Sequence, residues 1–316
     1  MDRITVTAAA GSYPVIIGSQ IIDALGRELD AAKVGKRRIV VSNHRVWELH
    51  AARFRSLGAD RTPIIVEDGE RYKNLNTVAR IIDALVKAQA DRSTVMVAVG
   101  GGVIGDLAGF VAATFARGLP FFQVPTTLLA HVDSSVGGKV AVNLPAAKNM
   151  VGVFWQPSGV LIDVDTLRTL PEREYRAGLA EVVKYGVILD EHFFGKLERH
   201  WEAILHRDPA TLADVIAHCC RLKAQVVSQD ERETTGLRAV LNYGHTFGHA
   251  VESVAGYGEF LHGEAVAIGM TCAARLARIL GRFDEAAVYR QQQLLERLAL
   301  PTAMPGQLCK PNTAST

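Results

Sequence analysis

The sequence has few cysteines and no long apolar run. Its four cysteines are Cys219, Cys220, Cys272 and Cys309, none of which forms a Cys-x-x-Cys pair. This usage predicts buried thiols in a reducing compartment rather than a disulfide framework. No window reaches the ~18 apolar residues of a membrane-spanning helix, and the N-terminal segment has no signal-peptide pattern. We therefore expect a cytoplasmic protein that has no membrane partner.

An excess of charge of one sign is also missing. Lys and Arg together number 35 and Asp and Glu 33, which gives a net charge of +2. This balance argues against a nucleic-acid or membrane-surface binder that works through an overall field, so any anion site must be local. With 48% hydrophobic and 22% charged residues in 316, the chain has material for large cores. Its length favours two domains over one, because a domain usually has ~100–200 residues.

The pattern along the chain changes near residue 168. Before it, short β-branched runs alternate with helical periodicity, which is typical of βαβ units on a mostly parallel sheet. The predicted strands are 37–42, 62–67, 93–100, 119–125 and 159–164, with helices at 44–57 and 74–90. Beyond it, only helical patterns follow, at 172–188, 190–206, 208–229, 239–256, 262–281 and 284–298. We expect a Rossmann-like α/β domain at 1–168, an all-α domain at 169–300 and a poorly ordered tail at 301–316.

A glycine cluster follows one predicted strand, in STVMVAVGGGVIGDLAGF (93–110). Gly100-x-Gly102-x-x-Gly105 fits the dinucleotide-binding fingerprint, in which backbone N–H groups and a helix N-terminus approach a pyrophosphate. A tight strand-to-helix turn with no ligand explains the glycines equally well. The acidic residue expected ~20 positions further on is missing. Asp68 and Glu70, which follow the preceding strand, are the alternative contacts to a ribose.

Polar residues crowd the segment VPTTLLAHVDSSVGGKVAVN (124–143). It is too polar for a core strand, and the run of small and polar residues between apolar segments favours a ligand surface over a solvated loop. In the helical half, Glu181 and Lys184 share one face of an apolar helix, where a buried charge needs a partner. His245, His249 and His262 lie in similar apolar context. Each alone is better explained as a core histidine, but together with Glu181 they form a metal set, because two or three histidines with one carboxylate are a catalytic Zn²⁺ pattern. Spacing alone pairs His245 with His249, four residues apart on one helix.

Seven blocks, in order along the chain, carry a resemblance to a known family. They are DGERYK (68–73), GGGVIGDLAGF (100–110), VPTTLLAHVDSSVGGK (124–139), AKNMVGVFWQP (147–157), DTLRTLPEREYRAGLAEVVKYG (165–186), LNYGHTFGHAVE (241–252) and LHGEAVAIGM (261–270). Together they resemble the 3-dehydroquinate synthases, a family of sugar-phosphate cyclases. The resemblance implies an α/β NAD-binding domain, a helical metal-binding domain and a homodimer.

The resemblance also implies roles for individual residues. The metal ligands, for Zn²⁺ or Co²⁺, fall on Glu181, His245 and His262, so that His249 moves to the substrate side and handles hydrogen bonds or protons. The NAD contacts fall on Asn43, Asp68, Glu70, Lys73, Gly101, Gly102, Gly105, Asp106, Thr126, Thr127, Thr166 and Thr169. The substrate contacts fall on Arg117, Asp133, Lys139, Lys148, Asn149, Lys184, Lys223, Arg238 and Asn242, with Lys139 and Lys148 also near the nicotinamide. These basic residues are the local anion site that the net charge could not reveal.

The implied substrate is 3-deoxy-D-arabino-heptulosonate 7-phosphate. NAD⁺ accepts hydride from its C5 hydroxyl carbon, phosphate leaves by β-elimination, NADH returns the hydride, and ring opening with an aldol closure gives 3-dehydroquinate. A cyclase for another sugar phosphate and a metal-dependent polyol dehydrogenase are the alternative enzymes.

Two departures from the family pattern affect these expectations. DERETTGLR (230–238) has one residue more than the family spacing before Arg238, which leaves the glutamate expected there unassigned. The family continues for several dozen residues into a lysine-rich segment, where this chain reads QLCKPNTAST. A chain that binds NAD without turnover is therefore the third alternative.

Overall fold

The computed structural model describes residues 1–9, 11–57, 62–256 and 259–305. The chain divides into two compact units. The first, which we call the α/β unit, joins Met1–Leu170 to Pro209–Thr234. The second, the helical unit, joins Pro171–Asp208 to the chain from Thr235 onward. Within the described ranges, no helix is both long and apolar enough to cross a membrane.

A seven-stranded sheet forms the centre of the α/β unit, in the order β1-β2-β9-β6-β5-β3-β4. β1 is antiparallel to β2, and every other neighbouring pair is parallel. A separate antiparallel hairpin pairs β7 with β8. The strands are β1 (Asp2–Ala8), β2 (Gly11–Gly18), β3 (Arg38–Asn43), β4 (Ile64–Val66), β5 (Val95–Gly100), β6 (Phe121–Pro125), β7 (Lys139–Leu144), β8 (Ala147–Phe154) and β9 (Gly159–Asp163).

Both faces of this sheet are covered. Side chains alternate between faces along a strand, and β5 divides its residues accordingly. Met96 and Ala98 pack in one apolar cluster with residues of the helices that follow β4 and β5, whereas Val95, Val97 and Val99 pack in another with residues 22–29. Burial on both faces explains why this strand reads as a continuous apolar run. The predicted Rossmann-like architecture is confirmed.

Helices occupy the remainder of both units. They are α1 (Leu25–Ala31), α2 (His44–His50), α3 (Leu75–Lys87), α4 (Gly102–Thr114), α5 (Glu172–Leu189), α6 (Glu191–Leu205), α7 (Pro209–Gln229), α8 (His245–Ala255), α9 (His262–Ile279) and α10 (Glu285–Arg297). Of these, α5, α6 and α8–α10 belong to the helical unit, whose helical character is as predicted.

Several elements differ from the prediction. The first hairpin, β1–β2, was not predicted, although Ile4 and Val6 alternate with polar residues. The predicted helix 44–57 ends at His50 and continues as 3-10 turns. The predicted helix 239–256 is interrupted at Gly244, whose φ of +79° ends one helical stretch before α8 begins. The predicted tail lies, from residue 306 onward, outside the described residues.

Helix α7 also departs from the predicted domain division. It was expected in a continuous second domain, 169–300, but it belongs to the α/β unit. Its apolar side packs against β1 and β2. Cys219 and Cys220 are buried free thiols on this helix, Cys272 is a half-buried free thiol on α9, and Cys309 is outside the described residues.

Two glycines on α9 allow close approach of backbones in the helical unit. A Cβ at Gly263 would lie 1.8 Å from the carbonyl oxygen of Ala177 on α5. A Cβ at Gly269 would lie 2.0 Å from the carbonyl oxygen of Gly244. Since neither obstructing atom belongs to a flexible side chain, α9 can lie this close to α5 and to the start of α8 only with glycine at both positions.

Candidate active site

Three helices of the helical unit bring one carboxylate and two imidazoles together. Glu181 lies in the middle of α5, and His245 and His262 are the first residues of α8 and α9. His245 Nε2 is 3.5 Å and His262 Nε2 3.7 Å from Glu181 Oε1. The sequence distances are 64 and 81 residues, so only the tertiary fold could join them.

The protonation pattern of this group favours a cation. His245 Nδ1 lies 3.2 Å from the carbonyl oxygen of Tyr243, which can only accept a hydrogen bond, so Nδ1 donates and Nε2 keeps a lone pair. Burial lowers the pKa of His245, and the Glu181 carboxylate opposes this shift, so the imidazole is neutral at pH 7. A lone pair therefore faces Glu181 Oε1, and this oxygen accepts no hydrogen bond from the described residues.

The spacing of these atoms fits one ion. Ligands at Zn–N and Zn–O distances of ~2.0–2.2 Å in a tetrahedral site are ~3.4 Å apart. The observed 3.5 and 3.7 Å are close to this value, and one atom from each residue lies within 4.8 Å of the others. Glu181 is fully buried, and its other oxygen, Oε2, contacts Lys184 Nζ in an ion pair. The donor set, a carboxylate and two imidazoles, therefore suits a divalent transition metal.

His249 lies outside this triad. It is exposed on α8, and its ring centroid is 5.7 Å from that of His245 and 6.3 Å from that of His262. Its nearer group is a second set, with Glu252 and His262. The pairing of His245 with His249 from helical spacing alone therefore selects a histidine outside the triad in place of His262, which lies on a different helix. Glu252 was not predicted, although its position one helical turn after His249 was visible; its Oε1 is 3.8 Å from His262 Nδ1.

A turn after β5 collects the predicted nucleotide contacts of the α/β unit. Gly101 is the N-cap of α4, and Gly102 begins that helix, so unpaired backbone N–H groups point outward at the carboxyl edge of the sheet. Lys73 Nζ lies 2.8 Å from Asp106 Oδ2 and 3.3 Å from Glu70 Oε1. Burial raises the pKa of Asp106 to about 6, against the opposing effect of Lys73.

The other predicted nucleotide contacts surround this turn. Asn43, the N-cap of α2, donates to Asp68 at 3.1 Å. A Cβ at Gly105 would lie 2.8 Å from Gln123 Oε1, so the glutamine side chain would have to shift to admit a larger residue. Thr127 Oγ1 accepts from the N–H of Ala130 at 3.2 Å.

Two further predicted threonines, Thr166 and Thr169, lie on the 3-10 helix Val164–Thr169, which follows β9. The Thr166 hydroxyl donates to the carbonyl oxygen of Asp163 at 2.8 Å. The Thr169 hydroxyl lies 2.9 Å from His50 Nε2 and 3.1 Å from the carbonyl oxygen of Thr166. Both hydroxyls are thus engaged with protein groups.

Thr126 differs from the other predicted nucleotide contacts. It is buried at the end of β6, and its Oγ1 has no hydrogen-bond partner among the described residues. Buried hydroxyls are rarely left unpaired, so a ligand atom or an ordered water is expected beside it. This observation fits a bound nucleotide at the carboxyl edge of the sheet.

Predicted substrate residues of the α/β unit form two ion pairs. Lys223 Nζ lies 2.6 Å from Asp133 Oδ1 and 2.7 Å from the Asp133 carbonyl oxygen. Lys139 Nζ lies 2.5 Å from Glu233 Oε1. Glu233 belongs to the segment where the sequence left a glutamate unassigned, and only its contact with Lys139 distinguishes it from Glu231.

Lys148 and Asn149 lie on β8, near the tip of the β7–β8 hairpin. The Asn149 N–H donates to Asn143 Oδ1 at 2.9 Å, and Asn143 Nδ2 donates to Glu70 Oε1 at 2.8 Å. The hairpin tip is thereby joined to the nucleotide-side residue Glu70. Asn143 was not predicted, since an asparagine in an alternating strand carries no distinguishing signal.

Arg117 is not brought to the nucleotide-side residues. It lies in a 3-10 turn just after the C-terminus of α4, whereas Gly101 lies at the N-terminus. A helix of 13 residues is ~20 Å long at 1.5 Å per residue. Within the described ranges, no hydrogen bond or ion pair joins its side chain to another predicted site residue.

The helical unit holds the last predicted substrate contacts. Lys184 is buried beside Glu181. Arg238, also buried, and Asn242, exposed, lie on the 3-10 helix Leu237–Asn242, which leads directly into His245. Arg238 and Asn242 therefore lie close in sequence to His245, a member of the triad.

The α/β unit has a glycine turn at the carboxyl edge of a parallel sheet, and the helical unit has a buried carboxylate with two histidines. These features together are typical of nucleotide- and metal-dependent enzymes. Comparison with known proteins makes this class specific. The family models for the 3-dehydroquinate synthase N-terminal and C-terminal regions match residues 63–177 and 178–315. The chain is 51% identical over 309 residues to the 3-dehydroquinate synthase of Pelobacter propionicus, covering 96% of this chain and 86% of that protein. The chain belongs to the 3-dehydroquinate synthase family.

Solved structures of related cyclases agree with this assignment. A 2-deoxy-scyllo-inosose synthase, complexed with carbaglucose-6-phosphate, NAD⁺ and Co²⁺, superposes with a TM-score of 0.85 at 30% identity, covering 96% of this chain and 83% of that chain. ValA, a 2-epi-5-epi-valiolone synthase from Streptomyces hygroscopicus with NAD⁺ and Zn²⁺ bound, gives 0.85 at 29% identity, covering 94% and 83%.

Proposed function

We propose that this chain is a 3-dehydroquinate synthase, a lyase that converts 3-deoxy-D-arabino-heptulosonate 7-phosphate into 3-dehydroquinate and phosphate. This reaction belongs to the shikimate pathway of aromatic amino-acid biosynthesis. One observation carries the proposal: in a member of this family, a neutral histidine lone pair and a buried carboxylate oxygen face each other at 3.5 Å with no proton between them.

The proposal includes two cofactors. Glu181, His245 and His262 would hold a Zn²⁺ or Co²⁺ ion, and the Gly101–Asp106 turn, with Thr126, would hold NAD⁺. When bound, the dinucleotide takes up and returns a hydride, and the cation lowers the pKa of the substrate hydroxyl and fixes its oxygen. The backbone N–H groups at the start of α4 would bind the pyrophosphate, since they lack partners within the helix.

The chain's basic residues would bind the two anionic groups of the substrate. Arg238 suits a bidentate hold on a carboxylate or phosphate, and Lys139, Lys148, Lys184 and Lys223 supply point charges. Lys139, Lys184 and Lys223 each contact a carboxylate already, before substrate binds. The paired carboxylates hold each ammonium in place and reduce the entropy lost on binding.

Proton handling is assigned to His249 and Asp133. His249 is exposed on α8 and outside the ligand triad, so one of its ring nitrogens is available to take a proton from the substrate and return it. Asp133 accepts from Lys223 and is held in the orientation that a hydrogen bond to a substrate hydroxyl requires. Asn149 and Asn242 would complete the hydrogen bonds to the sugar.

The assembly and location are part of the same proposal. We expect a homodimer in the cytoplasm, with the sugar phosphate as substrate and with neither nucleic acid nor membrane as partner. Arg117 supports the dimer: it lies at the far end of α4 from the nucleotide turn, so a second copy is the natural source of an arginine at this chain's site.

An assay with three readouts tests the function. The purified protein is mixed with the heptulosonate phosphate, NAD⁺ and Co²⁺ or Zn²⁺, and phosphate, NADH and the product are measured. The proposal requires phosphate release, no net NADH and dehydroquinate as product. Stoichiometric NADH would indicate a polyol dehydrogenase and a different carbocycle a related cyclase, whereas binding without phosphate release would indicate an inactive chain.

A further inference from the structure

One buried histidine has no role in the proposed mechanism. His131 is fully buried in the π-helical segment Ala130–Ser134 of the α/β unit. This segment follows Thr126 and Thr127, which are proposed for the nucleotide, and it contains Asp133, which is proposed for the substrate. π-helical turns occur often at functional sites, and this one holds a buried imidazole close in sequence to the proposed nucleotide and substrate contacts.

Its hydrogen bonds define one tautomer. His131 Nε2 lies 3.0 Å from the carbonyl oxygen of Pro125, which can only accept, so Nε2 carries the proton. The same N–H is 3.4 Å from Thr166 Oγ1, whose own proton goes to the carbonyl oxygen of Asp163. Nδ1 has no partner among the described residues, and burial lowers the pKa of His131 to about 4, so the ring is neutral.

The two acceptors belong to different segments that the proposal assigns to NAD⁺. Pro125 is the last residue of β6 and directly precedes Thr126, so the position of the Pro125 backbone fixes where the Thr126 side chain begins. The Thr126 hydroxyl has no hydrogen-bond partner among the described residues. Thr166 lies on the 3-10 helix that follows β9. A single imidazole N–H therefore connects two nucleotide-contacting segments that are about 40 residues apart in sequence.

The main chain of His131 extends the connection toward the substrate residues. Its carbonyl oxygen accepts from Cys220 Sγ at 3.3 Å. Cys220 lies on α7, one helical turn before Lys223, which binds Asp133. Hence the side chain contacts the nucleotide segments, and the backbone contacts the helix that carries a substrate lysine.

We infer that His131 is a positioning residue for the dinucleotide: its Nε2–H fixes the backbone beside Thr126 against Thr166, without itself touching the nucleotide or exchanging a proton. This inference rests on the proposed function, because it requires that NAD⁺ bind at these threonines. A core histidine with only a packing role would affect stability and leave the affinity for NAD⁺ unchanged.

Two substitutions separate these roles. His131→Leu keeps a similar volume and removes the donor, whereas His131→Gln retains an N–H donor near the position of Nε2. We expect the Kd for NAD⁺, measured by isothermal titration calorimetry, to rise about tenfold in the leucine variant and to stay within about twofold of wild type in the glutamine variant. The kcat at saturating NAD⁺ should change much less than the KM for NAD⁺.

A stability control accompanies them. Leu29→Ala opens a cavity in an apolar cluster of the same unit that does not include His131, and Leu29 is fully buried there. This variant should lower the melting temperature without changing the Kd for NAD⁺. Equal Kd values for wild type and His131→Leu would overturn the inference, as would a glutamine variant as weak as the leucine variant. If the wild-type protein binds no NAD⁺, the proposed function fails instead.

A spectroscopic measurement covers the case in which His131→Leu does not fold. In ¹⁵N-histidine-labelled wild-type protein, His131, assigned by its absence from His131→Gln, should give the Nε2-protonated neutral tautomer. An Nδ1-protonated tautomer would overturn the inference, because its Nε2 has no proton to donate to Pro125 and Thr166.

Discussion

In the helical unit, the lone pair of His245 and an oxygen of Glu181 face each other without a proton between them, whereas in the α/β unit each of Lys73, Lys139 and Lys223 contacts a carboxylate. The arrangement in the helical unit has two hydrogen-bond acceptors and no donor between them. In the α/β unit, each of these carboxylates has a lysine ammonium as its donor. Lys184 pairs with the other Glu181 oxygen, Oε2, so the acceptors left facing each other are Oε1 and the histidine lone pair, which a bound cation would satisfy. Each ammonium of the set in the α/β unit already has a carboxylate partner, so this set does not depend on a ligand for its charge balance.

We expect the largest effect from replacing Glu181, the carboxylate whose oxygen faces the lone pair of His245. Glu181→Gln should weaken Zn²⁺ or Co²⁺ binding by more than about a hundredfold, the upper range for loss of an outer-sphere partner. Metal content after dialysis and the Co²⁺ absorption spectrum measure it. His262→Ala should give the same loss while leaving the Glu181–Lys184 ion pair intact. His249→Ala is the matched control and should retain the metal; the reverse pattern in these two histidine variants would refute the ligand assignment.

Asp106, which pairs with Lys73 in the α/β unit, predicts how the stability of the protein depends on pH. Burial raises the pKa of Asp106 from 3.8 to about 6, so between these values the folded protein holds a proton that the unfolded chain releases. Stability therefore falls as pH rises through this window. Relative to Asp106→Asn, the wild-type free energy of unfolding should decrease by about 2 kcal/mol between pH 4 and 7, as measured by urea denaturation. A flat difference would mean that Lys73 keeps Asp106 ionised throughout.

A smaller effect is expected next to the triad. Glu252 Oε1 is 3.8 Å from His262 Nδ1, and a carboxylate on this side of a ligating histidine orients the ring and raises its basicity. Glu252→Gln should weaken metal binding about tenfold and leave the stoichiometry at one ion. A drop from two ions to one would instead show that His249, Glu252 and His262 bind a second cation.

The smallest effect is expected for an exposed pair. Lys139 and Glu233 are 49% and 38% exposed, and exposed ion pairs contribute ~0.2–1 kcal/mol. Glu233→Gln should therefore change the free energy of unfolding by less than about 1 kcal/mol, while raising the KM for substrate if Lys139 needs orientation. Glu231→Gln, in the same segment but bonded to Gln156, is the control and should leave the KM unchanged.

Local periodicity predicted most of the fold. Strands such as β5 were visible as apolar runs, and the helices of the second half as repeats of 3.6 residues. The membership of α7 was not predictable in this way, because an apolar face shows that a helix is buried and not which unit buries it. The β1–β2 hairpin was missed for another reason: β1 has only two buried apolar residues in alternation, Ile4 and Val6, and β2 contains a proline, which disfavours a strand prediction.

The candidate site shows the same limit. Helical spacing joined His245 to His249 since both lie on one helix, but the triad draws a residue each from α5, α8 and α9. The residue pattern had grouped Glu181 with all three histidines, only the family resemblance reduced this group to Glu181, His245 and His262, and the roles of all the site residues remain predictions. Glu233 and His131 were not identified because their partners, Lys139 and Pro125, lie on distant or backbone positions that a sequence pattern does not mark.

The close approach at Gly263 has a consequence for natural variation in this protein. The helix that begins with His262 lies against the backbone of Ala177, one turn before Glu181, with no room for a methyl group. A Gly263→Ala change would separate the two helices that carry the proposed ligands Glu181 and His262 without altering either residue. Among sequence variants, an alanine at this position would therefore be a loss-of-function allele that a survey restricted to ligands, lysines and nucleotide contacts would count as silent.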